Sequence, residues 1–344
     1  MADTSQERAR KTRRGSGGIT LMDVARLAGV SAITVSRALN EPGLLTAETL
    51  ARVHEAIERT GYVPNRVAGG LASSRTGLVA ALVPTISGLV FLETVQAMTE
   101  ALDEAGFQVM LGQSGYDSTR EDALLDAIIG RRPDGVIITG VMHTPQARGR
   151  LAAAGIPIVE TWDLTPTPID MLVGFSHEKV GAAVAEYLAY RQVKSPALVS
   201  ADDYRASLRR RGFAEAAQKH GYEDIPLSLV PTPTTLGAGR KALSNILDEH
   251  PHTDAVFCSS DVLALGALTE AQARGLQIPQ DLRVFGFGDL DFAAHAYPAL
   301  STVRIDGTAI GRQAARFIIQ RVNGETVPQR IVDVGFKLIA RASA

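Results

Sequence analysis

The sequence predicts a small all-α head built on a helix-turn-helix, followed by an α/β body of two Rossmann-like subdomains. Three observations predict it. Residues 20–61 hold three short amphipathic segments separated by turn residues, with apolar side chains at helical spacing. Beyond Gly77 the rhythm changes to ten short apolar runs that alternate with amphipathic stretches. Those runs lack polar alternation, as strands do when helices cover both faces of a parallel sheet.

Length and composition set the frame. The chain has 344 residues, which at roughly 150 per domain suggests two domains or three small ones. It is 45% hydrophobic and 21% charged with mean hydropathy +0.06, so whole-chain disorder and a disulfide scaffold are excluded. Cys258 is the single cysteine and fits a reducing cytoplasm. No apolar run reaches the roughly 18 residues of a membrane span. Residues 1–18 are polar and basic and lack the apolar stretch of a secretory signal. A cytoplasmic protein with no membrane partner is expected. The net charge of −2 divides unevenly: residues 1–75 carry 11 Lys+Arg against 7 Asp+Glu, and the remainder carries 24 against 30. A basic head on an acidic body suggests that the head alone meets a polyanion.

The head reads element by element. Residues 1–19, with Arg8, Arg10, Lys11, Arg13 and Arg14 ahead of a Gly-Ser-Gly-Gly stretch, are expected to form a disordered basic arm. Thr20 caps a first helix, with Asp23 reaching back as in a capping box. Leu21, Val24, Ala25 and Ala28 line its inner face, and Gly29 stops it. Ser31 caps a second helix with Val35, Ala38 and Leu39 inward. After a loop at 40–43, Thr46 caps a third helix with Leu50, Val53 and Ile57 inside, stopped by Gly61. The DNA-binding domain is placed at 20–64, a hinge at 65–76 and the body at 77–344.

In the body, strands are expected at 78–83, 108–112, 135–139, 156–160, 172–175, 197–200, 227–230, 255–259, 283–286 and 302–305. Helical stretches are expected at 89–105, 119–131, 146–154, 178–190, 205–220, 238–249, 261–274 and 307–322. Ten strands with short connections are too many for one compact sheet. Two halves are expected to meet near Phe175 and cross back near Val303 and again near residue 332. A closed (β/α)₈ barrel is the rival architecture. Ligands in open α/β sheets bind beyond the carboxyl ends of strands. That rule selects Thr85, Phe91, Gln113, Tyr116, Glu160, Trp162, Arg209, Thr234, Ser260, Asp261 and Asp289 among the strand-end segments. Phe91 and Trp162 suit apolar walls, and a guanidinium fork such as that of Arg209 pairs with a carboxylate or vicinal hydroxyls. Asp202, Arg205, Arg210 and Arg211 are expected to be surface charges.

The head carries a resemblance. Asp23-Val-Ala25, Gly29-Val-Ser31, Thr34-Val-Ser-Arg37 and Tyr62-Val-Pro-Asn65, in this order, resemble the headpiece of the lactose-repressor (LacI/GalR) family. It continues through Asp134-Gly-Val-Ile-Ile138, Gly155-Ile-Pro-Ile-Val159, Arg209-Arg-Arg-Gly-Phe213, Ser260-Asp-Val-Leu-Ala-Leu-Gly266 and Leu300-Ser-Thr-Val303. It implies a homodimeric repressor whose body is periplasmic-binding-protein-like and closes around a small effector. It implies that Ala32 and Ile33 sit where the family reads bases and Arg37 where it contacts bases or phosphate. Both leading residues are apolar, so purine discrimination should lean on Arg37 and on DNA shape. The bland alternative for Ile33 is packing within the head. Phosphate contacts are expected from Thr20, Ser31, Thr34, Ser36 and Asn65. The resemblance makes 65–74 a hinge helix, with Arg66 and Ala68 on the DNA and Leu71 as the minor-groove wedge.

In the body, Arg209 matches the family's effector-binding arginine, and Glu160 and Asp261 match positions of hydroxyl or structural contacts. Ser260 replaces a more usual asparagine, and Gly288 stands where many relatives have aspartate, with Asp289 and Asp291 close behind. Val256-Phe-Cys-Ser-Ser-Asp261, Gly286-Phe-Gly-Asp-Leu-Asp291 and Val334-Gly-Phe336 resemble the gluconate-operon repressor subgroup. An anionic sugar acid, gluconate or a ketogluconate, is therefore expected as effector, with a neutral sugar or purine as the alternative. A dimer is expected rather than a tetramer, because no leucine heptad follows residues 337–344.

Enzyme chemistry has little support. The chain lacks His-Glu-x-x-His, Gly-x-Ser-x-Gly, Walker and Cys-x-x-Cys motifs, and Gly286-x-Gly288 has no third glycine. His143 and His177 lack metal-ligand spacing, and Cys258 in an apolar run reads as an inert thiol. No metal and no cofactor are expected. A sugar-acid dehydrogenase is the rival of a different class, separable by an absorbance assay with NAD. A transport-type binding protein would need an export signal.

Overall fold

The computed structural model describes residues 19–63 and 75–344, apart from residues 117 and 142. The basic arm and the hinge residues Asn65, Arg66, Ala68 and Leu71 lie outside the described residues. The chain divides after Ser74 into two compact units.

The head is three helices. In α1 (Leu21–Ala28) the Asp23 carboxylate accepts from the Thr20 amide at 3.0 Å and from its hydroxyl at 2.6 Å. Gly29, at φ 64°, ends the helix in the left-handed conformation that a residue without Cβ adopts freely. In α2 (Ala32–Asn40) the Ser31 hydroxyl accepts from the Thr34 amide at 3.1 Å. In α3 (Ala47–Thr60) Thr46 does the same for Thr49. Val24, Val35 and Val53, one from each helix, are fully buried at the centre of a small core. The Arg52 guanidinium on α3 donates to the carbonyls of Ala28 and Gly29 at 3.0 and 3.2 Å, which pins the turn between α1 and α2.

The body has two open sheets, so the closed barrel is excluded. The first is six-stranded and parallel: β1 (Leu78–Val83), β2 (Gln108–Gln113), β3 (Gly135–Thr139), β4 (Ile158–Thr161), β5 (Met171–Gly174) and β11 (Ile331–Asp333). Their spatial order is β11-β5-β4-β3-β1-β2. The second is four-stranded and parallel, in the order β7-β6-β8-β9, from Leu227–Val230, Pro196–Ala201, Ala255–Cys258 and Arg283–Phe285. β10 (Thr302–Arg304) pairs antiparallel with β12 (Lys337–Ile339). The central strands are buried along their length, as continuous apolar runs require when both faces are covered. β11, β12 and the short helix Asp291–His295 are additions to the expected elements; each is five residues or fewer, too short for periodicity to register.

Three segments join the two subdomains. The chain passes from β5 into helix His177–Tyr190, from β9 through β10 into helix Gly307–Val322, and from β11 into β12. The last two return the chain to build both halves. Helix Gly307–Val322 packs on helix Leu92–Glu104 of the first subdomain, and β11 completes that subdomain's sheet beside β5.

Candidate functional site: a DNA-reading helix and a ligand cleft

On α2 the inward residues Val35 and Ala38 fix which face points out. Ile33 is 66% exposed, so it does not pack within the head. Arg37 lies one turn further on the same face and is exposed. Among the described head residues Arg26 pairs with Asp23, Arg59 with Glu55 and Arg52 with the α1 carbonyls; Arg37 is the arginine left uncommitted. Ala32 is half-buried against the head core, and Thr34 and Ser36 are half-buried too. Thr20 and Ser31 stand exposed at the helix starts, where free amides favour an anion.

In the body, the carboxyl ends of both sheets face a cleft, and one cavity there has an empty volume of about 780 Å³ including its mouth. Arg209 forms its charged centre. Helix Tyr204–Lys219 carries it against helix His177–Tyr190, and the two pack unusually close. A Cβ on Gly181 would fall on the Arg209 carbonyl, and one on Gly212 on the Glu178 backbone. Arg209 is 5% exposed, and its guanidinium lies over the Phe287 ring at 4.1 Å. It donates to His177 Nδ1 at 2.9 Å and to the Ser259 carbonyl at 3.2 Å. Two of its five donors are thus committed, and the buried Nε has no partner among the described residues. Burial pulls the Arg209 pKa down to about 10, so it remains a cation at neutral pH.

His177 is held at both ring nitrogens. Nε2 donates to the Trp162 carbonyl at 2.9 Å, which leaves Nδ1 as the acceptor for Arg209. Burial, then the Arg209 charge, keep it neutral, well below the usual histidine range. Trp162, Phe91 and Phe287 supply the apolar walls, with Trp162 edge-on to Phe91 at 5.0 Å. Opposite, Thr234 and Ser260 stand beside helix N-termini at Leu236 and Asp261, and their hydroxyls lie 3.4 Å apart. With the starts of helices His177–Tyr190 and Tyr204–Lys219 also at the wall, several positive helix ends converge on the cavity.

The cavity brings together seven of the residues expected from the sequence: Thr85, Phe91, Tyr116, Trp162, Arg209, Thr234 and Ser260. Four others are not in its lining. Gln113 ends β2 short of it. Glu160 is fully buried, accepting from the Ile169 amide at 2.6 Å and lying 3.4 Å from His143 Nε2. Asp261 is fully buried, accepting from Thr302 at 2.5 Å and the Leu290 amide at 2.7 Å; burial pushes its pKa up to about 6. Asp289 is paired with Arg341 at 2.7 Å. Conversely Arg205, expected to be a surface charge, lines the cleft 5.3 Å from the Phe91 ring centre. His177, Asp203, Ser259 and Phe287 also line it without having been singled out. Asp203, Arg205 and Ser259 lie just beyond the ends of β6 and β8, where the strand-end rule applies; His177 and Phe287 enter through tertiary packing.

A second cavity adjoins the first, with Tyr116, Asp203 and Arg205 as common walls. His143 sits at its edge, donating from Nδ1 to Glu121 at 2.6 Å. Burial alone would lower its pKa, but Glu121 and Glu160 outweigh it and hold the pKa at about 9. Cys258 is buried, with its thiol pushed well up by desolvation.

A helix-turn-helix head joined to a two-lobed binding body defines a ligand-responsive DNA-binding regulator. The chain belongs to the LacI family of bacterial regulatory proteins, whose model matches residues 20–65; a periplasmic binding protein-like domain matches residues 185–344. It is similar to the HTH-type transcriptional regulator GntR of Pseudomonas aeruginosa, 38% identical over 97% of this chain and 98% of that one. Among solved structures it resembles a LacI-family regulator from Silicibacter pomeroyi, with TM-score 0.89 and 33% identity over 94% of this chain and 99% of that one. It also resembles a GntR regulator from Chromobacterium violaceum, with TM-score 0.75 and 36% identity over 77% and 98% of the chains. These relatives are transcriptional regulators, not enzymes, and the family's members bind operator DNA and small effectors as dimers. No helix among the described residues is long and apolar enough to cross a membrane.

Proposed function

We propose that the protein is a homodimeric repressor of sugar-acid catabolism genes, released from a palindromic operator by an aldonate such as gluconate or a ketogluconate. One observation carries the effector class: a desolvated guanidinium with an unpaired Nε in a cavity walled by aromatic rings. An anion there satisfies donors that otherwise stay buried and unmet. The helix N-termini around the cavity favour the same charge. Resemblance to regulators named GntR supports the same class. On the head, the exposed Ile33–Arg37 face of α2 is the surface we assign to the major groove. Two heads on a two-fold dimer would read an inverted repeat. Effector binding between the lobes shifts the population away from the DNA-competent state, on a usual scale of about 1–3 kcal/mol.

The test is calorimetry of the full chain with gluconate, 2-ketogluconate, a neutral hexose and a purine, alongside anisotropy on inverted-repeat DNA. Aldonate binding that releases the duplex is expected. Tight binding of a neutral sugar or a purine, with none of any aldonate, overturns the effector class. No preference for an inverted repeat over random DNA overturns the operator.

A further inference from the structure

The three helices of the head do not hold its positive charge. Residues 19–63 carry four arginines against five carboxylates: Asp23, Glu41, Glu48, Glu55 and Glu58. Three of the four arginines are engaged inside the head. Arg26 pairs with Asp23, Arg59 with Glu55, and Arg52 donates to the Ala28 and Gly29 carbonyls. Glu41, Glu48 and Glu58 are exposed, and no cation among the described residues pairs with them. The body does not redress this. Arg75, at its start, donates to the Val322 carbonyl at 2.6 Å, and residues 76–344 carry 24 Lys+Arg against 30 Asp+Glu. A fold that reads a groove with one uncommitted arginine and several hydroxyls neutralises few phosphates. Phosphate neutralisation supplies most of the sequence-independent affinity for DNA.

The missing charge lies ahead of the first helix. Residues 8–14, Arg-Ala-Arg-Lys-Thr-Arg-Arg, hold five cations and no carboxylate. The excess of 11 Lys+Arg over 7 Asp+Glu in the first 75 residues therefore comes largely from this run. Its attachment point suits the task. In a helix-turn-helix the first helix crosses the DNA backbone while the second enters the groove. Ile19, which leads into α1, is 50% exposed, so the chain meets the helix from solvent. Covalent geometry limits Arg14 to about 20 Å from Thr20 and Arg8 to about 40 Å. Duplex DNA offers a phosphate charge for about every 1.7 Å of axis, so this reach covers many phosphates beside the half-site.

We propose that residues 8–14 are a second DNA-binding site, which neutralises the phosphates flanking each half-site. Recognition is thereby divided. The α2 face reads the groove and carries the sequence preference, and the arm supplies the sequence-independent attraction that the acidic helices lack. The proposal rests on the assignment of α2 to the major groove made above.

The experiment is fluorescence anisotropy of the full chain on a mixed-sequence duplex of about 40 base pairs, long enough for two half-sites with flanks, between about 50 and 200 mM NaCl. The variant carries Arg8→Gln, Arg10→Gln, Lys11→Gln, Arg13→Gln and Arg14→Gln together. Its dependence of log affinity on log salt is expected to be shallower by about 3 or more, as for four lost phosphates at about 0.9 each. Its affinity near 100 mM salt should fall at least roughly tenfold, with an unchanged melting temperature. An arm in which all four arginines are lysine should keep the wild-type slope, because the effect counts charge and not the guanidinium fork. Arg26→Gln with Arg59→Gln, which alters arginines already paired in the head, should change the slope by less than about 1. An unchanged slope in the glutamine arm overturns the proposal and leaves the α2 assignment standing. A lysine arm that falls as far as the glutamine arm overturns it too, as does a larger loss from the paired head arginines than from the arm. If the wild type binds no duplex, the arm and the α2 assignment fall together.

Discussion

Arg209 concentrates what single side chains contribute to this molecule. Its fork is fixed by a neutral imidazole, a carbonyl and an aromatic face before any ligand arrives, so little entropy remains to be lost on binding. Lysine at this position keeps the charge but not the fork. Arg209→Lys is expected to weaken aldonate binding by about 1.5–3 kcal/mol, roughly 10- to 150-fold, in calorimetry. Arg37 is the corresponding residue on the head. Arg37→Ala is expected to cost about 1–3 kcal/mol in operator affinity by fluorescence anisotropy, and relaxed base preference would mark a base contact. If Arg37 touches phosphate instead, the loss is uniform across sequences and the salt slope falls by about 1. His143 gives a pH dependence with a definite sign. Its folded pKa of about 9 lies above the unfolded value of 6.5, so its contribution is complete below about pH 6.5 and is lost as pH rises through 9. The size is on the order of 3 kcal/mol for a shift of this extent. Thermal unfolding of His143→Gln should differ most from wild type at pH 6 and converge with it near pH 10.

At the scale of elements, the two helices that present Arg209 and His177 depend on a contact without side chains. Alanine at Gly181 or Gly212 places a methyl on the partner helix backbone, and overpacking of this kind costs about 1–3 kcal/mol. Each substitution should lower the melting temperature and also weaken effector binding, because separating the helices moves Arg209 relative to Ser259. A melting-temperature loss with unchanged calorimetry would show that the contact is structural only.

The same scale explains what could be read from residue order. The caps at Thr20, Ser31 and Thr46 and the stops at Gly29 and Gly61 were legible because each is decided within four residues of chain. The buried strands were legible because their apolar runs are continuous. Strand ends were harder. Glu160, Trp162 and Asp163 are close neighbours at the end of β4, yet one is sealed in the first subdomain and the other two enter different cavities. A single left-handed residue decides this, and nothing in the local pattern announces a tryptophan at φ 66°. His177 was equally hidden, since its role comes from Trp162 and Arg209, 15 and 32 residues away.

At the scale of the whole molecule, effector binding must be felt as stability. A ligand that binds only the folded state stabilises by about 2.7 kcal/mol at a hundred times its Kd. A thermal-shift series with gluconate should therefore raise the melting temperature of wild type, and raise that of Arg209→Lys clearly less at the same concentration. The first 75 residues, with 11 Lys+Arg against 7 Asp+Glu, should make operator affinity fall steeply between roughly 50 and 200 mM salt, by counterion release.

The order in which the lobes are assembled from the chain has a further consequence, during synthesis. The first lobe is begun at residue 78 but lacks its edge strand β11 and the covering helix Gly307–Val322 until the last part of the polypeptide has emerged. A ribosome-bound chain will therefore carry a finished head and a half-clad sheet whose β5 edge is bare. Nascent chains stalled or truncated before residue 307 should seek chaperones or aggregate.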